Sequence, residues 1–443
     1  MLAVMKSWKA LCLAALLPLA ACGGSRATSA APEIAALPAP AWNEAAVADL
    51  AEAARQAARE GLPSEEATLN EIAALQNRGA RDAGAVEMLD QTAEAMFRRL
   101  AVEFAHGATD PARVANNWHI PRAPAPDLEA LSQARLAGAA PSVLLAALKP
   151  QSEEYQALST EYVRVLAEPA NTEDANGRSR GDRLDSLRAS LERWRWMPRD
   201  MPSERVEVRI PHFEAVYRGV NGNETHAVIV GARRTPTPVF SVSIEAVTLN
   251  PTWTPPQSIV SNELLPRFRR NPGAAAAENF EVLDSSGRAV PLSDVNWHAR
   301  PFPYTLRQRA GAGNALGQLK FEMPNAYDVY LHDTSAPGLF ERANRALSHG
   351  CIRVQDPAGL ASAVLGLDLI SLQSEIDQGA TQRLPLAAPL QVYVLYMTAV
   401  ADGGVVRYAD DLYHADGAVL TALDSPDLRL MTSNTRTQQP CAS

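Results

Sequence analysis

The sequence predicts an α+β protein in which a helical region precedes a β-rich domain. From Trp42 to about residue 167, apolar residues recur at helical spacing. From Arg205 onwards, apolar and polar residues alternate with the period of two that is typical of a β-strand. The 443 residues suffice for two or three units with separate cores. We therefore expect the change from helices to strands near residue 200.

Composition and charge limit the functions that the chain can have. Hydrophobic residues make up 47% and charged residues 21%, as in ordinary soluble globular proteins. The formal net charge is −9, which argues against nucleic-acid binding and offers no basic stripe for a membrane surface.

The first residues have the pattern of an export signal. Lys6 and Lys9 precede a short apolar run, Ala10–Ala20, which is too short for a stable membrane span. Leu19-Ala20-Ala21-Cys22 resembles a bacterial lipobox, so we expect residues 1–21 to be removed and Cys22 to carry lipid. The alternative is ordinary cleavage with an incidental cysteine. We expect an exported protein anchored at the periplasmic face of the envelope. Because no aspartate follows Cys22, the outer membrane is favoured over the inner one.

The remaining chain divides by composition and periodicity. Helix starts and strand alternation give most of the boundaries, and polar or Ala/Pro-rich stretches give the linkers. The predicted units are a lipid-anchored flexible tether at 22–41, a helical scaffold domain at 42–167, a linker at 168–182, a helix at 183–205 that leads into the second domain, a β-rich domain at 206–417 and a tail at 418–443. Within the β-rich domain, residues 262–309 are rich in Pro and Gly and could form a small insert or lid.

The stretch from Tyr330 to Val354 carries the residues of an activated thiol. It contains His332 followed by Asp333, and then Ser-His-Gly-Cys-Ile-Arg at 348–353. Both ends alternate as strands do, and Asp356-Pro357 then predicts the start of a helix. A thiol attacks a carbonyl well only as the thiolate, so Cys351 as a nucleophile needs a base.

Either of two histidines could be that base. His349 lies two residues from Cys351 and His332 lies nineteen residues upstream, and spacing alone does not decide between them. Gly350 suits the tight passage that an oxyanion site requires. Arg353 could bind a carboxylate, and its structural alternative is an internal ion pair.

Two structural alternatives apply to these residues as a group. A cysteine in an apolar segment is most often an inert core residue, and a single histidine is most often a surface or core residue. Zinc also prefers histidine and cysteine, but no second cysteine pair or obvious fourth ligand accompanies these residues. We therefore expect no metal and no other cofactor.

These motifs resemble the signature of L,D-transpeptidases with a YkuD-like catalytic domain. The wider context is similar to the large YcbB-like subgroup, which has an N-terminal scaffold domain, and the resemblance covers roughly residues 140–417. The residues that carry it are Asn314–Gly317, Lys320-Phe321, Pro324-Asn325, Tyr330–Thr334 and Ser348–Arg353. Many members have a peptidoglycan-binding module before the catalytic part, whereas this chain has only the polar residues 168–182 there.

The resemblance implies a metal-free acyl transfer on peptidoglycan stem peptides. In the family a cysteine attacks a tetrapeptide stem, releases D-alanine and passes the acyl group to an amine of a neighbouring stem. The matching residues are Cys351 as nucleophile and His332 as general acid and base, with Asp333 or a backbone carbonyl to orient the imidazole. The backbone amides of His349, Gly350 and Cys351 would form the oxyanion site, Ser348 would support the loop, and Arg353 would bind a substrate carboxylate. Carbapenem-type inhibitors are expected to react with Cys351.

Two other functions remain open on the sequence. Water could resolve the same thioester, which would give an L,D-carboxypeptidase or a wall-peptide hydrolase. The chain could instead be a non-catalytic cell-wall scaffold lipoprotein, in which case Cys351 would be dispensable in cells.

Overall fold

The computed structural model describes residues 41–79, 82–115, 117–220 and 222–426. Helices dominate up to residue 196, and strands dominate from residue 205 to residue 408. The predicted α+β order is therefore confirmed.

The helical region is built from short, capped helices. Side chains such as Asn43, Asp82 and Ser152 accept hydrogen bonds from the first free backbone amides and so fix where helices begin. The elements are α1 (Glu44–Arg59), α2 (Glu66–Gly79), α3 (Ala83–His106), α4 (Pro111–Val114), the two-residue strand β1 (Trp118–His119), α5 (Leu128–Leu136), α6 (Pro141–Ala146), α7 (Glu153–Leu166) and α8 (Arg180–Trp196).

The second region consists of strands with a compact insert. Its first strands are β2 (Arg205–Arg209), β3 (Glu214–Gly219), β4 (Gly222–Gly231) and β5 (Val239–Leu249). The insert contains α9 (Gln257–Ile259), α10 (Leu265–Arg270), α11 (Gly273–Ala277), β6 (Phe280–Leu283), β7 (Ala289–Val290) and β8 (Thr305–Gln308). The chain then forms β9 (Leu319–Glu322), β10 (Leu331–His332), β11 (Ala346–Ser348), β12 (Ile352–Val354), α12 (Pro357–Leu365), α13 (Leu369–Asp377), β13 (Gln382–Leu395), β14 (Ala399–Asp402), β15 (Val405–Tyr408) and α14 (Asp416–Asp424).

The large sheet curves back on itself. Its strands follow the order β1-β5-β13-β2-β3-β4-β12-β10-β9, and β9 also pairs with β5. This second pairing closes the path, so the strand that carries His332 lies inside a continuous frame rather than at an open edge. Inward residues such as Val208, Val228 and Leu331 are completely buried and form its core.

The insert has a hydrophobic core of its own. Phe268, Trp297 and Leu306 are among its buried residues, and β7, β6 and β8 form a separate sheet. The backbones of Trp253 and Gln308 exchange two hydrogen bonds, of 2.9 and 2.7 Å, where the insert joins the domain. The structure therefore places the insert between these two residues, so that it begins earlier than the predicted 262. A π-helical turn, Val260–Leu264, joins α9 to α10.

Helix α8 connects the two regions, although much of it is charged. Glu192 and Arg195 are fully buried and lie 3.2 Å apart. Glu192 accepts hydrogen bonds from the backbone and the hydroxyl of Thr109, and Arg195 donates to the backbone carbonyl of Glu60. From Ser186 to Trp196 every residue of α8 except the half-buried Arg188 is buried, so its charged side chains need partners within the protein. It begins at Arg180, inside the stretch predicted as a linker.

The C-terminal end of the described chain differs from the prediction. Residues 418–443 were expected to form a polar tail, but α14 extends to Asp424 and buries Val419 and Leu423. Asp416, at its start, forms a buried ion pair of 2.5 Å with Arg193 of α8. The sequence pattern there was too short to indicate an amphipathic helix.

The predicted signal peptide, Cys22 and all of the tether except Ala41 lie outside the described residues. Within the described residues, no single helix has the length and apolar character to cross a membrane, and only one pair, α12 and α13, meets that test jointly, with a bend of 115° between them.

Candidate active site

Two neighbouring strands bring Cys351 and His332 to one face of the sheet. β10 and β12 run parallel, with Leu331 opposite Ile352 and His332 opposite Arg353. Because side chains alternate along a strand, Tyr330 and His332 share a face with Cys351 and Arg353. The separation of nineteen positions in the sequence is thereby reduced to a diagonal step between adjacent strands.

The loop before Cys351 is held by side-chain hydrogen bonds. The Ser348 hydroxyl donates to the carbonyl of Cys351 at 2.6 Å and accepts from the amide of Gly350 at 3.1 Å. The Thr237 hydroxyl donates to the carbonyl of Gly350 at 2.8 Å. Gly350 has φ = +122°, which a residue with a side chain rarely adopts. The loop is therefore fixed before any substrate binds.

These bonds determine which amides face a reacting carbonyl. The amide of Gly350 is already used by Ser348, although the family resemblance included it in the oxyanion site. The amides of His349 and Cys351 donate to no other group in the described part of the chain. They are the two donors that this conformation offers to a developing oxyanion.

The surroundings of the Cys351 sulfur favour its protonated form. Cys351 is partly exposed, and its thiol donates to the backbone carbonyl of Asp328 at 3.5 Å. Burial of the sulfur raises the pKa of Cys351, while hydrogen bonds from Tyr330 and the positive charges of Arg353 and Lys320 lower it to a smaller extent. At neutral pH these surroundings favour a neutral thiol at Cys351 over a preformed thiolate.

His332 is neutral and its ring nitrogen Nδ1 is free. Burial, and then the charge of Arg353, lower the pKa of His332 to about 3, against the opposing effect of the backbone carbonyl of Asp333. Its Nδ1 is buried and has no hydrogen-bond partner among the residues described. A neutral imidazole with a free nitrogen can accept a proton, so the chemistry of this pair is that of a general base beside a thiol.

Asp333 contributes through its backbone and not through its carboxylate. Its side chain accepts from the amide of Gln318 at 2.8 Å. A Cβ at Gly317 would lie 2.2 Å from that carboxylate, so the close packing requires glycine there. Of the two orienting groups considered from the sequence, the structure places the backbone carbonyl of Asp333 at the imidazole.

His349 points away from the sulfur towards the insert. Its ring is exposed, and Nε2 lies 2.6 Å from a carboxylate oxygen of Glu263 in the π-helical turn. His332 and His349 thus diverge, and the described residues contain no cluster of three or more His, Cys, Asp or Glu side chains that could hold a metal ion.

Arg353 is a guanidinium without a carboxylate partner in the described part of the chain. Its Nε is buried and unpartnered, and burial lowers its pKa. The internal ion pair considered from the sequence is not formed with any described residue. An unpaired cation beside the nucleophile is suited to an anionic group of a ligand.

Four further residues surround the site and were not assigned to it from the sequence. Tyr330 packs edge-on against His332 with ring centroids 5.7 Å apart, and Lys320 lies 4.7 Å from the Tyr330 ring centroid. The indole of Trp253 acts as a hydrogen-bond donor to the Tyr330 hydroxyl and lowers its pKa, although burial raises that pKa more. The fourth is Asp328. Tyr330 could have been found from its period-two spacing to His332. Lys320 and Asp328 depend on strand register and loop geometry, which the sequence does not display.

Comparison with known proteins agrees with this geometry. Residues 203–382 match the family model of the YkuD L,D-transpeptidase catalytic domain, and residues 36–161 match the model of a Scaffold domain. A 229-residue stretch, 50% of this chain, is 35% identical to a protein of Haemophilus influenzae (strain ATCC 51907 / DSM 11121 / KW20 / Rd) named "Putative L,D-transpeptidase". The match covers 47% of that protein, about half of its length. This chain therefore contains a YkuD L,D-transpeptidase catalytic domain at residues 203–382 and, before it, a Scaffold domain at residues 36–161.

Proposed function

We propose that the protein is a peptidoglycan L,D-transpeptidase with Cys351 as nucleophile and His332 as general base. The observation that carries this proposal is the pairing of β10 with β12, which sets a protonated thiol and a neutral imidazole on one face of the sheet. The match of residues 203–382 to the model of the L,D-transpeptidase catalytic domain supports the reaction class. The named relative supports it as well.

The first step forms a thioester. The sulfur of Cys351 attacks the carbonyl carbon between the third residue of a tetrapeptide stem and its terminal D-alanine, while His332 takes the thiol proton. The resulting oxyanion lies against the amides of His349 and Cys351. The carbon–nitrogen bond then breaks, and His332 returns the proton to the departing amine of D-alanine.

The second step transfers the acyl group. An amine of a neighbouring stem attacks the thioester and gives up a proton to His332, and the sulfur leaves and is protonated again. The product is a cross-link between the third residues of two stems. Arg353 is the group we assign to a substrate carboxylate, because no described carboxylate neutralises it.

The assay uses the chain without residues 1–21 and purified tetrapeptide muropeptides. A dimer that has lost one D-alanine supports transfer, and a tripeptide monomer would show that water resolves the thioester instead. If neither product forms, the hypothesis of a non-catalytic scaffold lipoprotein would be favoured instead. The control is Cys351→Ala, which we expect to form neither product.

Carbapenem-type inhibitors provide a second test of the same thiol. A β-lactam carbonyl opened by Cys351 would leave a stable covalent adduct whose mass equals that of the intact drug. Peptide mapping should place it on Cys351, and the Cys351→Ala variant should remain unmodified.

The location that we propose is the periplasmic face of the envelope, with a lipid anchor at Cys22 and the outer membrane favoured. The sequence Leu-Ala-Ala-Cys at 19–22 supports this. Incorporation of labelled palmitate that disappears in Cys22→Ala would support it. Equal labelling of both proteins would contradict it.

A further inference from the structure

The Scaffold region reaches the active site through one short strand. β1 pairs in parallel with β5, with Trp118 opposite Val239 and His119 opposite Phe240. β1 is the first strand of the large sheet, and it is the only strand formed by the described residues before α8. Trp118 packs edge-on against Trp196 of α8 with ring centroids 5.0 Å apart, and this contact holds β1 in place.

The exposed side chain of His119 stacks on a residue of the active-site loop. Its ring lies 4.6 Å from that of Tyr327, with 25° between the ring planes. Tyr327 also contacts Phe240 at 5.2 Å. Tyr327 is therefore held between a side chain of the Scaffold region and one of the catalytic sheet.

The residue after Tyr327 touches the nucleophile. The carbonyl of Asp328 accepts the thiol proton of Cys351 at 3.5 Å. Asp328 has φ = +53°, which is unfavourable for a residue with a side chain and persists only where the surroundings impose it. A shift of Tyr327 would therefore move the carbonyl that holds the thiol proton.

A second side chain restrains the same loop from within the catalytic domain. The amide of Asn325 donates to the carbonyls of Met323 and Val329, and its oxygen accepts from the amide of Tyr327 at 2.9 Å. A longer bond of 3.4 Å runs from the Val329 amide to the same oxygen, and this amide shares one planar peptide group with the Asp328 carbonyl. Asn325 and the stacked rings therefore share the restraint of that carbonyl.

The other side of the nucleophile loop is also in contact with this strand. Asn117 donates to the carbonyl of Thr237 at 3.3 Å, and the Thr237 hydroxyl holds the carbonyl of Gly350. Asn117 and His119, on either side of Trp118, are thus linked to the surroundings of Cys351 through Thr237 and through Tyr327, respectively.

We propose that His119 is a positioning residue of the active site: by stacking on Tyr327 it holds the Asp328 carbonyl against the Cys351 thiol and keeps that thiol protonated at rest. This rests on the proposed role of Cys351. An acceptor bonded to the neutral thiol disfavours the thiolate, so release of the carbonyl favours ionisation. It also frees the S–H bond to turn towards His332.

The surroundings of Cys351 include other charged and titratable groups. His332 on β10 and Tyr330 just before that strand face Cys351. Lys320 on β9 and Arg353 on β12 face it as well. Asp328 also carries a carboxylate, and His349 is turned towards Glu263. Substitution of His119 leaves all of these in place, so a change in the pH profile of the thiol would report the carbonyl.

The test measures alkylation of Cys351 by iodoacetamide as a function of pH in the chain without residues 1–21. His119→Ala should move the midpoint to lower pH by about half a unit to one unit, which is about three- to tenfold faster alkylation at pH 7. His119→Tyr should restore the original profile because it retains a flat ring. His106→Ala is the matched control, since His106 contacts the carbonyl of Pro124 within the same region, and it should change nothing.

Two results would overturn the proposal. One is an unchanged or alkaline-shifted profile in a folded His119→Ala protein. The other is an acid shift that persists when Tyr327 is already alanine, because the effect must pass through that ring. Asn325→Ala provides a further comparison. An acid shift of the alkylation midpoint in Asn325→Ala without one in His119→Ala would mean that the catalytic domain alone positions the loop. Alkylation needs no peptidoglycan, so failure of the transpeptidase assay and failure of this proposal are separate outcomes.

Discussion

At the scale of residues, the site is a neutral pair rather than an ion pair. Burial acts on both partners in the direction that removes charge: it raises the pKa of Cys351 and lowers that of His332. In the mechanism that we propose, the proton therefore moves during the attack, and the imidazole is the group that accepts it. This assignment gives His332 and His349 distinct roles, because only His332 is buried on the face of Cys351.

The first prediction concerns the general base. His332→Gln keeps a polar side chain of similar length but cannot accept the proton. We expect kcat for cross-link formation to fall by about 10²–10⁴-fold with the fold retained. His349→Gln is the control and should lose far less. Equal losses in the two variants would refute the assignment of roles.

The second prediction concerns the pH dependence of the thiol. Because the pKa of Cys351 is raised, alkylation of the unmodified protein should become steadily faster as the pH rises from 6 to 9. A thiolate–imidazolium pair would instead give a rate that is already constant below pH 7. Alkylation that is quenched at timed intervals and quantified by mass spectrometry at each pH distinguishes these two profiles.

Sequence reasoning singled out Cys351 and His332, which the structure places on one face of the sheet, but it did not reveal the residues around them. Cys351 and His332 stand in a motif whose residue types are themselves the signal. The carbonyl of Asp328 and the ammonium of Lys320 act through loop shape and strand register, and neither leaves a pattern in the sequence. The Gly350 amide, which was expected in the oxyanion site, is occupied because the Ser348 hydroxyl accepts from it, and the sequence does not display that side-chain rotamer.

At the scale of elements, buried charges join the parts of the molecule. Arg193 of α8 is buried and meets Asp416 of α14, whose second oxygen accepts from the Thr398 hydroxyl at 2.6 Å. Removal of one member of such a pair leaves the other charge buried without compensation. The helix that precedes the β-rich region and the helix that follows it are joined in this way.

The third prediction tests that junction. Asp416→Ala should lower the free energy of unfolding by about 3–5 kcal/mol, measured by urea denaturation. The matched control is Asp410→Ala, which removes an exposed ion pair with Arg178 and should cost less than about 1 kcal/mol. A small effect at Asp416 would mean that α14 does not stabilise the catalytic region.

The elements with strong local signals were predictable, and those set by tertiary context were not. Asp356-Pro357 indicated the start of α12, and the structure begins that helix at Pro357 with Asp356 as its cap. Helix α14 has only nine residues and becomes a stable element because α8 covers it. The insert was expected as a region, but its first residue depends on the pairing of Trp253 with Gln308, which only folding creates.

At the scale of the whole molecule, several buried imidazoles couple stability to pH. The pKa of His332 is lowered to about 3 and that of His212 to about 4, mainly by burial. Both imidazoles take up a proton when the chain unfolds in acid. Their contribution is complete above their ordinary pKa of 6.5 and is lost as the pH falls towards 4 and 3.

The fourth prediction follows from that sign. The free energy of unfolding should fall as the pH drops from 7 to 5, by about 1 kcal/mol per pH unit for each imidazole, because the limiting slope of about 1.4 kcal/mol per unit is reached only well below the ordinary pKa of 6.5. Glu154, whose pKa burial raises to about 7, opposes this trend, because its protonated form favours the folded state. Two imidazoles outweigh one carboxyl group. Greater stability at pH 5 than at pH 7, in urea titrations, would contradict this balance.

The central claim is that Cys351 forms a thioester with the stem peptide. The direct measurement is the intact mass of the protein, quenched in acid shortly after it is mixed with a disaccharide tetrapeptide. The account predicts an increase equal to the substrate minus D-alanine, located on Cys351 by peptide mapping and slower to appear in His332→Gln. Cross-linked product without any such adduct, or an adduct that persists in Cys351→Ala, would contradict it.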